Sequence, residues 1–375
     1  MPPIQKKHRL VIPSRWDIPE TEKLLELEKR IGSKTARISA FFASINDQPI
    51  GHGRSRAVVP YETITLRHAT TFVESVRTLK KKFTFLVNGP FEGEPKGEVL
   101  DYLRWIVSEL KPTGVMVRSP ELMLWFLNNS DLEVHVSSIL NIRSREDLKG
   151  LFDLLRSARR GIRGVVLCQD TSRLFGNFMA LSKFSVSENP FPGDINYELI
   201  VNETCLFGCE KRTTHHNAQI GQSLWPDPFQ HTCNQEKIIH PDQLLRSGGL
   251  IPPQLLETYR RYGVGTFKIA GRELPFSVIR RATEAYLTGS FSGNMIALTA
   301  MTPPQISGTD GRGASDYFYV DTEELARLMV TLLKTKVEER EAVIRQRAIK
   351  MYREDLLHVG NNCYRTVDGR LTLVQ

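Results

Sequence analysis

Along the 375 residues, short apolar runs alternate with longer stretches whose apolar positions recur every third or fourth residue. The short runs are R-L-V-I (9–12), R-I-S-A-F-F-A (37–43), F-T-F-L-V (83–87), G-V-M-V (114–117), L-E-V-H-V (132–136), G-V-V-L-C (164–168), Y-E-L-I-V (197–201) and F-K-I (267–269). Rich in β-branched and aromatic residues, they predict strands. The longer stretches, 19–31, 65–80, 98–110, 120–128, 145–158, 252–263 and 276–287, have the spacing of helices with one buried face. The first opens with Pro-Glu-Thr-Glu, an acidic first turn that suits the positive end of the helix dipole. Strands alternating with helices predict parallel pairing through right-handed crossovers. Eight such units in about 290 residues predict a closed (β/α)8 TIM-type barrel. A doubly wound open sheet is the second choice, because no glycine-rich phosphate loop follows the first strand.

Beyond the barrel, residues 303–320 begin P-P-Q-I-S-G-T-D-G-R-G and form a Gly/Pro/Ser-rich connection. Asp321 or Thr322 can then cap a long helix reaching to about Leu357, followed by an irregular tail. The expected organisation is a barrel over 1–302 with a Cys/His-rich insertion at about 203–250, the connection at 303–320, and a C-terminal helix and tail over 321–375.

Composition changes this picture little. Hydrophobic residues make up 41% and charged residues 25%, ordinary for a globular chain. No apolar run approaches the ~20 residues of a membrane span. The opening M-P-P-I-Q-K-K-H-R leads into a strand and not into a signal-like apolar region, so a cytoplasmic protein without membrane insertion is expected. Five cysteines, an odd number in a chain this long, do not form a disulfide framework. The net charge of +8 permits a polyanionic partner, but much of it lies at 334–353 among glutamates, where a solvated helix face is expected.

In a barrel the residues after each strand collect on one rim, where such folds do chemistry. That rim would carry Ser44, Asn46, His52 and Arg54, then Asn88, Arg118, Ser137 and Ser138. Next come Cys168, Gln169 and Asp170, then Asn202, Glu203, Cys205 and Cys209, and finally Gly271 and Arg272, with His135 and Lys268 inside strands. Three of the five cysteines, Cys205, Cys209 and Cys233, fall within 197–233, immediately after a strand. Thiolates gathered this way suit a metal or an iron–sulfur cluster. Cys168 ends the neighbouring strand, within ~5 Å in a parallel pair, and can supply a fourth ligand. Cys363 in G-N-N-C-Y, or a non-protein group, competes for that place. The single C-x-x-x-C with scattered partners favours a four-iron, four-sulfur cluster over a zinc knuckle, with zinc as the alternative.

Four histidines (His215, His216, His231 and His240) crowd the same insertion, and His216 is the choice for an acid or base. Glu203 is either a general base or an ion-pair partner of Arg272. Arg54 and Arg272 have the fork geometry for a carboxylate or phosphate. The expected catalytic set is Glu203, His216 and Arg272, and the substrate-binding set is His52, Arg54, Asn88, His135 and Lys268. A Cys205–His216 pair could be drawn for a peptidase, but G-x-S-x-G and H-E-x-x-H are both absent from the sequence.

With these residues laid out, the chain resembles the collagenase-like peptidase family. The pieces are G-H-G-R at 51–54, L-E-V-H-V-S-S at 132–138, G-V-V-L at 164–167, V-N-E-T-C-L-F-G-C at 201–209, H-H-N at 215–217, G-T-F-K-I-A-G-R at 265–272 and Y-L-T-G-S-F-S-G-N at 286–294. The resemblance implies a TIM-type barrel. It also implies oxygen-independent hydroxylation, as in relatives acting on ubiquinone precursors or RNA bases, some with an iron–sulfur cluster on four cysteines. Carried over, Cys205, Cys209 and Cys233 would be cluster ligands and Arg272 an active-site residue. N-E-T-C-L-F-G-C departs from the usual cysteine motif of the peptidase-named members, so the substrate does not carry over.

The expectation is thus an iron–sulfur barrel enzyme modifying a small anionic metabolite or an RNA base, with a protein partner able to complete the site. Two alternatives remain. One is a peptidase acting on peptides or collagen-like substrates; the other is a non-catalytic RNA- or protein-binding module with a structural metal site and a basic C-terminal helix.

Overall fold

The computed structural model describes residues 7–45, 48–50, 64–174, 180–181, 190–191, 194–219, 228–299, 301 and 314–374. Strands β1 (His8–Pro13), β2 (Ala36–Ala43), β3 (Lys82–Val87), β4 (Gly114–Val117), β5 (Glu133–Val136), β6 (Gly164–Val166), β7 (Asn196–Ile200) and β8 (Thr266–Lys268) close into a barrel in chain order. Every neighbouring pair is parallel, and Arg9–Val11 of β1 pair with Thr266–Lys268 of β8 to shut it. The expected (β/α)8 barrel is therefore the observed one.

Local chemistry sets the helix boundaries. Asp17 caps helix Ile18–Ile31 by accepting from the Glu20 N–H at 2.7 Å, and Gly32 ends it with a left-handed φ of 60°. Ser144 and Asp147 form a reciprocal capping box at the start of Arg145–Leu154. Along each strand, side chains alternate between two cores. Leu10, Ile12, Phe41, Phe83, Phe85 and Val115 face the helices, whereas Val11, Ala40, Phe42, Leu86, Met116, Val166, Ile200 and Ala270 plug the barrel interior.

The region after the barrel differs from expectation. The long helix is two helices, Thr322–Lys334 and Arg340–Arg353. Between them Thr335 and Lys336 are extended and Arg340 donates to the Thr335 carbonyl at 3.2 Å. The tail is not irregular. Strand β9 (Phe318–Val320) pairs antiparallel with β10 (Leu357–Val359), and β11 (Tyr364–Val367) pairs with β12 (Arg370–Leu373). The second pair turns at Asp368 and Gly369, both at positive φ, the two-residue D-G hairpin turn. Arg345 and Arg347 of the basic helix bond Glu341 at 2.7 Å and Glu324 at 2.8 Å, so these charges are matched within the chain.

The appended hairpin docks on the β7–β8 insertion, which holds helices Arg212–Gln219, Pro228–Ile239 and Asp242–Arg246. Tyr364 Oη donates to the Ile238 carbonyl at 2.7 Å, His240 Nδ1 lies 3.1 Å from the Leu371 carbonyl, and Arg370 meets the fully buried Asp242 at 3.1 Å. Among the described residues, no helix is long and apolar enough to cross a membrane.

Candidate active site

Continuing the strand alternation past the apolar plug places Ser44, Asn88, Arg118, Cys168, Asn202 and Arg272 on the inner side of the C-terminal mouth. Several are tied to one another. Arg272 donates through Nη1 to Ser44 Oγ, joining β8 to β2. Asn202 holds the ends of β7 and β8 together: its Nδ2 donates to the Ala270 carbonyl at 3.0 Å, and its Oδ1 accepts from the Ala270 N–H at 2.6 Å. Gln169 Nε2 donates to Glu203 Oε2 at 2.6 Å, which orients the Glu203 carboxylate at the mouth.

Residues 247–249, Ser-Gly-Gly, close against these strand ends. Ser247 Oγ donates to the Glu203 carbonyl at 3.1 Å, and a Cβ on Gly248 would stand 1.9 Å from the Gln169 carbonyl oxygen. Only glycine allows that approach. Trp16, just past β1, is also at the mouth. Its φ of 62° is rare for a bulky residue, and its indole N–H donates to the Ser44 carbonyl at 2.9 Å.

Three buried polar atoms at this rim, Asn88 Oδ1, Arg118 Nη1 and Gln169 Oε1, have no hydrogen-bond partner. Each such atom costs on the order of 1–3 kcal/mol, so a group from outside the chain would stabilise them. Burial alone lowers the Arg118 pKa.

The thiols occupy a neighbouring pocket built around two cations. Arg212 is almost fully buried. It donates to Cys168 Sγ at 2.8 Å, to both Asp170 oxygens at 2.8 and 2.9 Å, and to the Leu206 carbonyl at 2.8 Å. Burial opposes its charge, but the Asp170 carboxylate overrides this and raises its pKa. Asp170 also accepts from the Gly208 N–H at 3.2 Å, which folds the loop bearing Cys205 and Cys209 over it. Lys237, buried beside Thr204, has its pKa lowered by burial, against the pull of Cys233, Cys205 and Cys209. Burial, with Glu203 nearby, pushes the Cys205 thiol up to about 12.

The donor chemistry of this pocket suits iron–sulfur or zinc, but the placement does not. Among the described residues, no three histidine, cysteine, aspartate or glutamate side chains converge on one metal-binding point. Within the expected set Cys168, Cys205, Cys209 and Cys233, the Cys168 thiol accepts from Arg212. Cys363 is exposed, on the appended hairpin side. No cysteine is in a disulfide.

Two expected substrate-binding residues lie inside the barrel, below the mouth. Inside the barrel, His135 Nε2 lies 3.5 Å from Glu133 and its Nδ1 3.4 Å from Glu198; the latter is ion-pair distance without hydrogen-bond alignment. The network continues through Asn196 Nδ2 to Glu198 at 3.3 Å, through Arg9 to Asn196, and through Lys82 to Glu133 at 2.7 Å. These residues lie toward the N-terminal end of the barrel, away from the mouth. Burial lowers the His135 pKa, but the two carboxylates outweigh it and carry the value up to about 9. Lys268 lies within the apolar plug, its Nζ 4.0 Å from the centre of the Phe42 ring and 3.0 Å from Met116 Sδ.

The structure thus brings Glu203, Arg272 and Asn88 to the mouth, takes His135 from it and sets Lys268 in the plug beneath. His216 sits on helix Arg212–Gln219 of the insertion, half-buried, next to His215, whose ring stacks on Phe229 at 5.1 Å. His52 and Arg54 lie outside the described residues. Arg212 and Lys237 went unnoticed in the sequence, since each is one basic residue among many in an insertion. Arg118 and Gln169 were visible as rim positions, but nothing local set them apart.

No family model matches the chain. Over 75% of its length it is 26% identical to an uncharacterized protease of Methanocaldococcus jannaschii, covering 80% of that protein. Similar solved structures include a U32 peptidase (13% identity, 72% of this chain and 95% of that one, TM-score 0.44). A GH113 beta-1,4-mannanase is another (10% identity, 76% and 99%, TM-score 0.35). The strand pairing defines a (β/α)8 barrel of enzyme type, with its polar mouth at the C-terminal rim. Over most of both lengths, then, the chain is similar to a protein named a protease.

Proposed function

We propose that the chain is an enzyme whose reaction takes place at the C-terminal mouth of the barrel, on a small substrate with an anionic group. Arg118 and Arg272 hold the anion, and Glu203 moves a proton. The observation that carries this reading is the Gln169–Glu203 hydrogen bond of 2.6 Å. It fixes a carboxylate at the rim where barrel enzymes place their chemistry, as a positioned general acid or base requires. The matched charges of helix Arg340–Arg353 argue against a non-catalytic module that binds through its basic face.

The test is conversion of a peptide library and of a small-metabolite extract, followed by mass spectrometry for wild type and Glu203→Gln. The wild type should form a product, and the variant should lose on the order of 100-fold or more in rate while unfolding at the same temperature. Equal turnover by both would remove Glu203 from the reaction.

The similarity to a protein named a protease favours one second reading, peptide hydrolysis at the same mouth. Cleavage of peptides, with no change to small metabolites, would select it. Oxygen-independent hydroxylation on an iron–sulfur cluster would require Cys168, Cys205, Cys209 and Cys233 to draw together. Iron and sulfide content after oxygen-free isolation decides that point: about four of each per chain, with absorbance near ~400 nm, would establish the cluster, and their absence would reject it.

A further inference from the structure

Asn88 Oδ1, Arg118 Nη1 and Gln169 Oε1 are each shut away from water with no partner in the chain. They are not scattered. Val87 pairs with Val117 across β3 and β4, so Asn88 and Arg118 are the next residues on adjacent strands, ~5 Å apart. Gln169 follows β6, two strands farther round the same rim. Asn88 and Gln169 are 6% and 3% exposed, so these are built positions and not surface side chains.

The chemistry of the two sides is opposite. On the β3–β4 side, Arg118 offers a guanidinium N–H that no carboxylate of the described chain meets, and its complement is a carboxylate. On the β6–β7 side, Gln169 cannot turn its amide round. Nε2 must face the Glu203 carboxylate, because the flipped amide would set oxygen against oxygen. Its Oε1 is therefore an acceptor beside a carboxylate, and the complement of that pair is a cationic N–H donor. Two strand spacings are about 10 Å, and the reach of the Arg118 side chain brings the two sides to the separation of charges a few bonds apart.

We propose that the mouth binds a small zwitterion, a free α-amino acid or a close analogue, with its carboxylate on Arg118 and its ammonium on Gln169 Oε1 and Glu203. Asn88, beside Arg118, takes a second hydrogen bond from the ligand. This rests on the reading of the mouth as the active site and names the class of molecule that site takes.

The test is calorimetric titration of the full chain with the twenty free amino acids, followed by the N-acetyl and methyl-ester forms of the tightest binder. Succinate and inorganic phosphate serve as purely anionic probes. At least one amino acid should bind, and acetylation and esterification should each weaken it tenfold or more. Arg118→Gln should abolish the advantage of the free carboxylate, and Gln169→Leu that of the free ammonium. In each variant the other preference should remain, which also shows that the protein is folded. The proposal is overturned if no amino acid binds, if the blocked forms bind equally well, or if succinate or phosphate binds as tightly. Absent amino-acid binding alongside turnover that still depends on Glu203 would remove this inference alone. Amino-acid binding with turnover indifferent to Glu203→Gln would remove the catalytic assignment and leave the ligand class standing.

Discussion

The guanidinium of Arg212 donates to the thiol of Cys168 at 2.8 Å, joining the end of β6 to a helix 44 residues later. The same guanidinium forks onto Asp170, so one buried cation holds a strand end, a carboxylate and the loop between Cys205 and Cys209. The thiol pocket is organised by positive charge, with Arg212 on Cys168 and Lys237 near Cys205, Cys209 and Cys233.

Replacing Arg212 by Met would strand Asp170 inside the protein without a counter-charge. Urea unfolding should show a loss of about 3–5 kcal/mol, the usual cost of removing one partner from a buried pair. A loss below about 1 kcal/mol would mean that water or another cation reaches Asp170.

The ion network inside the barrel sets a pH window. The His135 pKa is raised from 6.5 to about 9, so its contribution is complete below pH 6.5 and lost as pH rises through 9. Glu133, pulled from 4.5 to about 2 mainly by its bond to His135, contributes fully above pH 4.5 and loses that contribution as pH falls through about 2. The stability advantage of wild type over His135→Gln, measured by denaturant titration from pH 4 to 10, should therefore shrink between 6.5 and 9. Parallel curves across that range would show that His135 is neutral in the fold.

Gly164 is the space in which the His135 ring lies. A Cβ there would stand 2.4 Å from His135 Nδ1, so Gly164→Ala should cost about 1–3 kcal/mol through overpacking. It should also move the His135 titration seen by NMR toward its ordinary value. A variant as stable as wild type, with an unshifted titration, would put the ring elsewhere.

The appended hairpin steadies the insertion. Leu371 is 2% exposed where β12 meets helix Pro228–Ile239, and Leu371→Ala should cost about 2–5 kcal/mol. Hydrogen exchange should quicken in residues 228–246 more than in the barrel strands. A uniform increase over the whole chain would show that the hairpin stabilises the barrel as a unit and not the insertion.

The barrel could be read before any coordinates, because strand and helix periodicities are local and eight alternations leave few ways to pair. The rim positions of Glu203 and Arg272 followed from the same rule, since a residue just past a parallel strand has one place to go. The hairpin turn was equally local: V-D-G-R carries the signal of a two-residue turn.

What no local pattern could supply is the pairing of groups far apart in the chain. His135 and Lys268 were correctly placed on strands, yet what their polar tips would meet depended on Glu198, Glu133, Met116 and Phe42, most of them far away in the chain. Cysteines spread over residues 168–233 suggested a shared metal; that folding would also set Arg212 against Cys168 and Lys237 near the others was not legible. The physical reason is one of range. Periodicity acts over a few residues of backbone, while the energy of a buried charge depends on whichever counter-charge the finished fold brings within a few ångströms.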